Sequence, residues 1–207
     1  MSGILGIKVG MTQVFTPQGE RVPVTLVSTE GCVVVQTKTK EKEGVQSVQL
    51  GIGEKSVRDL SKSLKKHFEK AKVKPTRWLR DFQVAELEKY PVGSPVSLDF
   101  LKPGDKVEVR GETKGRGFSG VIKRWGFSGG PGGHGSRFHR HGGSIGNKTF
   151  PKRIFKKRRM AGHYGTETRT VNVQCVDVLK DEHLLVLKGQ LPGSKNSLVE
   201  VRLSHRG

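Results

Sequence analysis

A stretch of 60 residues, from Gly111 to Thr170, constrains the fold most, because it cannot bury itself. It holds 15 of the 28 glycines, and it has 14 basic residues against 2 acidic ones. Between Gly126 and Asn147 the only aliphatic side chain is that of Ile145. So little apolar surface cannot offset the entropy that a chain loses on folding. We therefore expect this segment to be a long arm that a binding partner orders.

The distribution of charge indicates the kind of partner. The chain of 207 residues has 38 Lys and Arg against 19 Asp and Glu, a net charge of +19. Residues 111–170 contribute +12 of this, residues 1–110 contribute +6, and residues 171–207 contribute +1. Such an excess is typical of proteins that bind a polyanion, most often nucleic acid. An anionic membrane surface is the alternative.

The segments on both sides of the arm have the pattern of β-strands. Runs rich in Val and Ile occur in the first 55 residues, separated by turn residues such as Pro17-Gln18-Gly19; they are ILGIKV, VPVTLVS, CVVVQT and VQSVQLGI. Apolar residues alternate at 96–100, 107–109 and 199–203, which indicates half-buried strands.

The expected fold is mainly β, with a small β-barrel whose strands come from both ends of the chain. Residues 1 to about 40 and 92–110 are predicted to pack with 171–203 in that barrel. The predicted domain organisation is 1–110 for barrel strands with a helical insertion, 111–170 for the arm, and 171–207 for the C-terminal barrel strands.

The helical insertion is expected at about residues 55–90. Ser61 is the predicted N-cap of a helix through LKKHFEKA, with Leu64, Phe68 and Ala71 on one face and Pro75 beyond its end. A second short helix is predicted around VAELEKY. The lysines of this insertion either contact phosphate or form a solvated helix face; they are Lys65, Lys66, Lys70, Lys72 and Lys74.

The cysteines and the apolar runs indicate a chain of the cytoplasm. Cys32 and Cys175 lie in Val-rich runs and are 143 positions apart, which is not a zinc-site spacing. We expect both to be reduced and buried. No apolar run reaches the roughly 20 residues of a membrane span, and the N-terminus lacks the pattern of a signal peptide. No membrane partner is expected.

Two motifs in the arm resemble catalytic or ligand-binding sites but lack their other parts. Gly115–Gly120 matches GxGxxG, yet the glycines from Gly126 onwards prevent the helix that a dinucleotide site needs, and no acidic residue follows about 20 residues later. His134, His139 and His141 have no carboxylate or thiolate beside them to complete a metal site. We predict no catalytic residues, no metal, no cofactor and no small-molecule substrate.

The composition of the arm instead favours binding to RNA. Lys and Arg neutralise phosphates, Gly permits close approach of the backbone, and aromatic rings stack on unpaired bases, for which Phe127 and Phe138 are also candidates. The predicted RNA-binding residues are Lys114, Arg116, Lys123, Arg124, Trp125, His134, Arg137, His139, Arg140, His141, Asn147, Lys148, Lys152, Arg153, Lys156, Lys157, Arg158, Arg159 and His163.

Other functions of a basic chain fit less well. A nucleic-acid enzyme needs acids or thiols in the arm, which has almost none, and a binder of duplex DNA usually presents a recognition helix or ribbon, where this arm is rich in Gly. For the run from Lys152 to Arg159, with its six basic residues, a nuclear-localisation-like patch is the alternative.

Five longer motifs resemble one known family. They are GILGIKVGMTQVF, HFEKAKVKPTRWLRDF, TKGRGFSGVIKRWGFSGGPGGHGS, HRHGGSIGN and KKRRMAGHYGTETRTVNVQ. In this order and at this spacing they resemble the bacterial-type family of ribosomal large-subunit protein three, over essentially the whole chain. The resemblance implies a non-enzymatic constituent of the large subunit, in cytoplasmic or organellar ribosomes.

The resemblance also implies details of structure and partners. It implies a six-stranded barrel of the translation-protein type and an arm whose tip, residues 142–148, approaches the peptidyl transferase centre. It implies binding to large-subunit ribosomal RNA near the 3′ end, an early role in assembly, and contact with large-subunit proteins fourteen and nineteen. Many members have Gln, sometimes methylated, where this chain has Asn147, so that modification is not expected here.

Overall fold

The protein is described by a computed structural model that covers residues 3–204. The predicted barrel segments also included Met1, Ser2 and residues 205–207, which lie outside the described residues. The chain forms two compact units, which we call the barrel unit (residues 1–112 and 168–207) and the arm unit (residues 113–167). Each unit is described by itself.

The secondary structure is mainly β, as predicted. The elements are β1 (Gly3–Phe15), β2 (Arg21–Ser28), β3 (Val33–Lys38), α1 (Lys40–Glu43), β4 (Ser47–Glu54), a 3-10 turn (Val57–Asp59), α2 (Lys62–Ala71), β5 (Thr76–Gln83), β6 (Lys106–Glu112), β7 (Phe118–Ser119), α3 (Val121–Trp125), β8 (Gly162–His163), β9 (Thr168–Leu179), β10 (Leu184–Lys188) and β11 (Leu198–Leu203).

Six strands of the barrel unit form a closed barrel in the order β1-β11-β6-β9-β10-β2. The first and last strands lie side by side, with Gly3 opposite Arg202 and Ile7 opposite Leu198. Val107 and Val109 of β6 and Val199 and Val201 of β11 are fully buried, because every second side chain of these strands points to the same face. Closure leaves no open edge along these strands.

The prediction that CVVVQT is a barrel strand was wrong, because β3 lies in a second sheet with the order β3-β4-β5. This sheet packs against the outside of the barrel. Ile4 and Leu5 are neighbours in β1 and both are fully buried, so both faces of β1 are covered there. In β3, Val34 joins the main core, whereas Val35 joins a smaller cluster with residues of the α2 region. The sheet therefore lies between the barrel and α2.

Helix α2 begins and ends as its sequence predicts. The Ser61 hydroxyl accepts a hydrogen bond from the Leu64 amide at 3.4 Å, and the helix ends at Lys72, which has a left-handed backbone with φ of 53°. Phe68 is buried beneath the helix and Ala71 packs beside it. Leu64 lies at the exposed edge of the same face. The helix thus stabilises the outer face of the second sheet.

Three further local predictions were wrong. Residues 84–90 form turns rather than a second helix, and 76–83 is the strand β5 rather than part of a helical insertion. Pairing with β4, such as Val48 opposite Phe82, decides the conformation of β5. Residues 96–100 do not form a strand. Val96 and Leu98 are nevertheless buried. The alternating pattern arises because an irregular segment buries every second side chain in the core.

Both cysteines are free and buried, as predicted. Burial raises the pKa of the Cys32 thiol to about 12. Burial, followed by the carboxylates of Asp105 and Asp177, raises the pKa of Cys175 to about 11. Because the thiolate is the reactive form, both side chains are inert near neutral pH and act as small apolar groups in the core.

Within residues 3–204 no helix is long and apolar enough to cross a membrane.

Candidate nucleic-acid interface

The arm unit begins and ends in a hydrogen-bonded ribbon, which its composition did not predict. The Thr113 amide donates to the Glu167 carbonyl at 2.9 Å, the Arg116 amide to the Tyr164 carbonyl at 2.8 Å, and the Tyr164 amide to the Gly117 carbonyl at 3.0 Å. Strands β7 and β8 continue this pairing. The ribbon holds the two ends of the arm together by backbone hydrogen bonds, which need no apolar core.

A cluster around Trp125 joins the short helix α3 to the returning chain. The Trp125 indole N–H and the Arg124 guanidinium both donate to the Met160 carbonyl, at 2.8 and 3.0 Å. The guanidinium carbons of Arg124 and Arg159 lie 5.1 and 5.5 Å from the centre of the indole ring, within the range of cation–π attraction. Trp125 therefore positions two of the predicted phosphate-binding arginines. Each guanidinium has five N–H donors, so most remain for a ligand.

Close packing within the arm explains two of its glycines. The Gly130 amide donates to the His139 carbonyl at 2.9 Å, and the His139 Nδ1 atom lies 3.0 Å from the Pro131 carbonyl oxygen. A methyl group on Gly130 would overlap the Phe138 carbonyl oxygen, and Gly129 has φ of +78°. These glycines permit the chain to approach itself, whereas the sequence argument assigned them to approach a partner.

Replacing Gly130 by Ala is expected to separate the chain at Gly130 from the chain at Phe138 and His139. The added methyl group would overlap the backbone of Phe138, which cannot move aside as the end of a flexible side chain can. Gly133→Ala is the matched control, since nothing lies within 4 Å of a Cβ at Gly133. We expect faster amide hydrogen exchange at position 130 in the Gly130→Ala variant and unchanged exchange there in the control. Equal exchange in the two variants would contradict the close packing.

The predicted RNA-binding side chains lie at the surface of the arm unit. Of the 19 residues, 18 are exposed and Arg124 is half-buried. Residues 113–167 contain 13 Lys and Arg but only one acid, Glu167. Among the described residues, no Lys or Arg of the arm is in an ion pair with a carboxylate. This unbalanced charge attracts a polyanion, and its counterions are released when phosphates replace them.

The predicted arm tip, residues 142–148, is an exposed loop without regular structure. The Arg158 guanidinium donates to the Ser144 carbonyl at 2.5 Å and ties this loop to the basic run. His141 lies beside Phe138 with ring centres 5.9 Å apart. Among residues 3–204 no three His, Cys, Asp or Glu side chains are grouped as metal ligands.

The structure adds aromatic candidates to those that the sequence suggested and weakens one of them. Phe127 is half-buried, so it presents less of its ring than was expected. Phe118, Phe150 and Phe155, which were not proposed, are 80%, 81% and 61% exposed. The signal for the last two was in the sequence: both lie among Lys and Arg, and rings interleaved with cations are typical of surfaces that bind single-stranded nucleic acid.

Comparison with known proteins identifies the family. The family described as Ribosomal protein L3 matches residues 80–183. The chain is 50% identical over 201 residues to the large ribosomal subunit protein uL3 of Pelotomaculum thermopropionicum, covering 97% of this chain and 95% of the relative. It is 47% identical over 203 residues to uL3 of Thermotoga maritima, covering 98% and 97%, and 45% identical over 210 residues to uL3 of Pseudothermotoga lettingae, covering 100% and 99%. Given identities of this size over almost the whole chain, the protein belongs to the ribosomal protein L3 (uL3) family.

Proposed function

We propose that this chain is a structural constituent of the large ribosomal subunit that binds large-subunit ribosomal RNA chiefly through its arm unit. The observation that carries the RNA-binding role is the exposed arm with 13 cations, none of them in an ion pair with a carboxylate in the described structure. As a member of the uL3 family, the chain acts in translation in cytoplasmic ribosomes and is not an enzyme.

The proposal extends to the position of each unit on the RNA. The barrel unit, which the family resemblance likens to translation-protein barrels, binds at the subunit surface. The arm enters the RNA, with residues 142–148 directed toward the peptidyl transferase centre. By the same resemblance, the chain binds RNA near its 3′ end, acts early in subunit assembly, and has large-subunit proteins fourteen and nineteen as its proposed neighbours. The support for these details is the resemblance, together with an arm tip that is exposed along its whole length.

The salt dependence of binding tests the role of the arm. Binding weakens as salt rises, so log K against log salt has a negative slope. Replacing Lys156, Lys157, Arg158 and Arg159 by Ala is expected to make this slope less steep by about 3, because each phosphate contact contributes about 0.7–0.9 to its steepness. The affinity is expected to fall by a similar factor for different RNA sequences, since phosphate contacts position the protein without reading bases. Filter binding to in vitro transcribed ribosomal RNA at several salt concentrations measures both quantities.

A matched control removes the same charge from the barrel unit. Lys62, Lys65, Lys66 and Lys70 lie on α2, where Ala is a good helix former. If this variant alone reduces the slope, the phosphate contacts lie on the helix and the proposal for the arm is wrong. If only the arm variant reduces it, the helix lysines form a solvated face, which decides between the two interpretations for Lys65, Lys66 and Lys70.

A further inference from the structure

The short ribbon of β7 and β8 has one covered face and one open face. Ser119 lies opposite Gly162, and Phe118 lies opposite His163. In an antiparallel pair, opposed residues point to the same face and consecutive residues point to opposite faces. Ser119 is only 3% exposed, and the Arg124 guanidinium lies against Gly162, where a Cβ would overlap it. Arg124 therefore covers the face of Ser119 and Gly162.

The other face carries two exposed aromatic rings. Phe118 is 80% exposed, and His163 is exposed as well. Their Cβ atoms are neighbours across the ribbon, where such pairs are about 4.5–5.5 Å apart. Nothing lies within 4 Å of a Cβ at Gly117 or Gly120, so no other part of the chain packs against these two glycines beside Phe118. The ribbon fixes the backbone of Phe118, and its ring is accessible, because the described residues provide no apolar partner for it.

The surrounding charge indicates the class of ligand. Lys114 and Arg116, just before Phe118, are both exposed, and neither is in an ion pair with a carboxylate in the described part of the chain. An apolar peptide would gain little here, because Phe118 is the only large exposed hydrophobic residue of the ribbon. A flat aromatic ligand with a phosphate attached matches both the rings and the cations.

We propose that Phe118 and His163 form a stacking platform for an unpaired base of RNA, with Lys114 and Arg116 beside it to contact the adjoining phosphates. This inference rests on the proposed function and adds to it a site that distinguishes unpaired from paired RNA. The phosphate contacts of the basic run do not make that distinction, since a phosphate is present in both.

The affinity of Phe118 variants for two probes tests the platform. The probes are a short oligoadenylate and the same strand paired with oligouridylate. Phe118→Ala and Phe118→Leu are expected to weaken binding of the single strand about 5- to 140-fold, the range that corresponds to loss of one base–aromatic stack. Leu retains an apolar side chain but has no aromatic face. Binding of the duplex and the salt slope are expected to remain those of the unchanged protein. Lys114→Ala, as the charge control, is expected to weaken binding of both probes.

A fluorescent variant gives a second measurement that does not depend on affinity. In Phe118→Trp the new indole is expected to be quenched by the single strand and not by the duplex, relative to the same titration of the unchanged protein. Equal affinity of all Phe118 variants for the single strand, or equal quenching by both probes, would overturn the platform while the proposed function stands. Failure of the unchanged protein to bind ribosomal RNA at any salt concentration would overturn the proposed function, and the platform with it.

Discussion

Replacing residues 113–167 by a two-residue turn is expected to remove most of the affinity for ribosomal RNA and to leave the barrel unit folded. If half to all of the 13 arm cations contact phosphate, the slope of log K against log salt becomes less steep by about 5–12. The replacement is geometrically simple, because Glu112 and Thr168 are opposed residues at the end of the β6–β9 pair. A turn such as Asn-Gly joins strands at that separation.

The barrel unit of this variant is expected to keep its free energy of unfolding, since every residue of the two buried apolar clusters lies outside 113–167. Urea unfolding, followed by circular dichroism, checks the fold, and filter binding over a series of salt concentrations checks the affinity. A folded variant with the original salt slope would show that the barrel unit carries the phosphate contacts. It would also remove the basis for placing the arm in the RNA.

Leu5→Ala is expected to have the largest effect on stability. Leu5 is fully buried in β1, a strand that contacts the second sheet as well as its neighbours in the barrel. Removing its isobutyl group leaves a cavity that the surrounding strands fill only in part, and such substitutions cost about 2–5 kcal/mol. Proteins of ordinary stability have only about 5–15 kcal/mol in total. Urea unfolding of the purified variant measures the loss.

Met11→Ala in the same strand is the matched control. Met11 is 54% exposed, although it lies in the same strand, only six positions after Leu5. The expected change in the free energy of unfolding is within about 0.5 kcal/mol, as for most surface substitutions. An equal loss of unfolding free energy for Met11→Ala and Leu5→Ala would mean that the β1–β2 hairpin is packed as tightly around Met11 as around Leu5. That result would contradict the exposure of Met11 in the structure.

Much of the barrel unit could be predicted from local sequence. In β6 and β11 the buried residues Val107, Val109, Val199 and Val201 alternate with polar neighbours, because one face of each strand is buried. This alternation does not depend on which residues the buried face packs against. The start of α2 was equally local, since the Ser61 hydroxyl and the Leu64 amide are three residues apart. The exposure of the basic residues in the arm followed from composition, because a segment so poor in aliphatic side chains has no core in which to bury them.

Other features depend on residues far apart in the chain. Val34 and Val35 read as one apolar run, and only the positions of the barrel and of α2 decide that each is buried on a different side of a second sheet. The TRWLRDF segment became a strand because β4 was available to pair with it.

The arm shows the same division. Its composition determined that it presents charge at the surface, but its internal ribbon joins Arg116 to Tyr164, 48 residues later. No pattern within a short window encodes that pairing, because backbone hydrogen bonds between distant segments are independent of side-chain period. The sequence by itself therefore determined that most of the basic residues of the arm lie at its surface. Only the tertiary structure decided that Arg124 covers one face of the ribbon and leaves Phe118 and His163 open on the other.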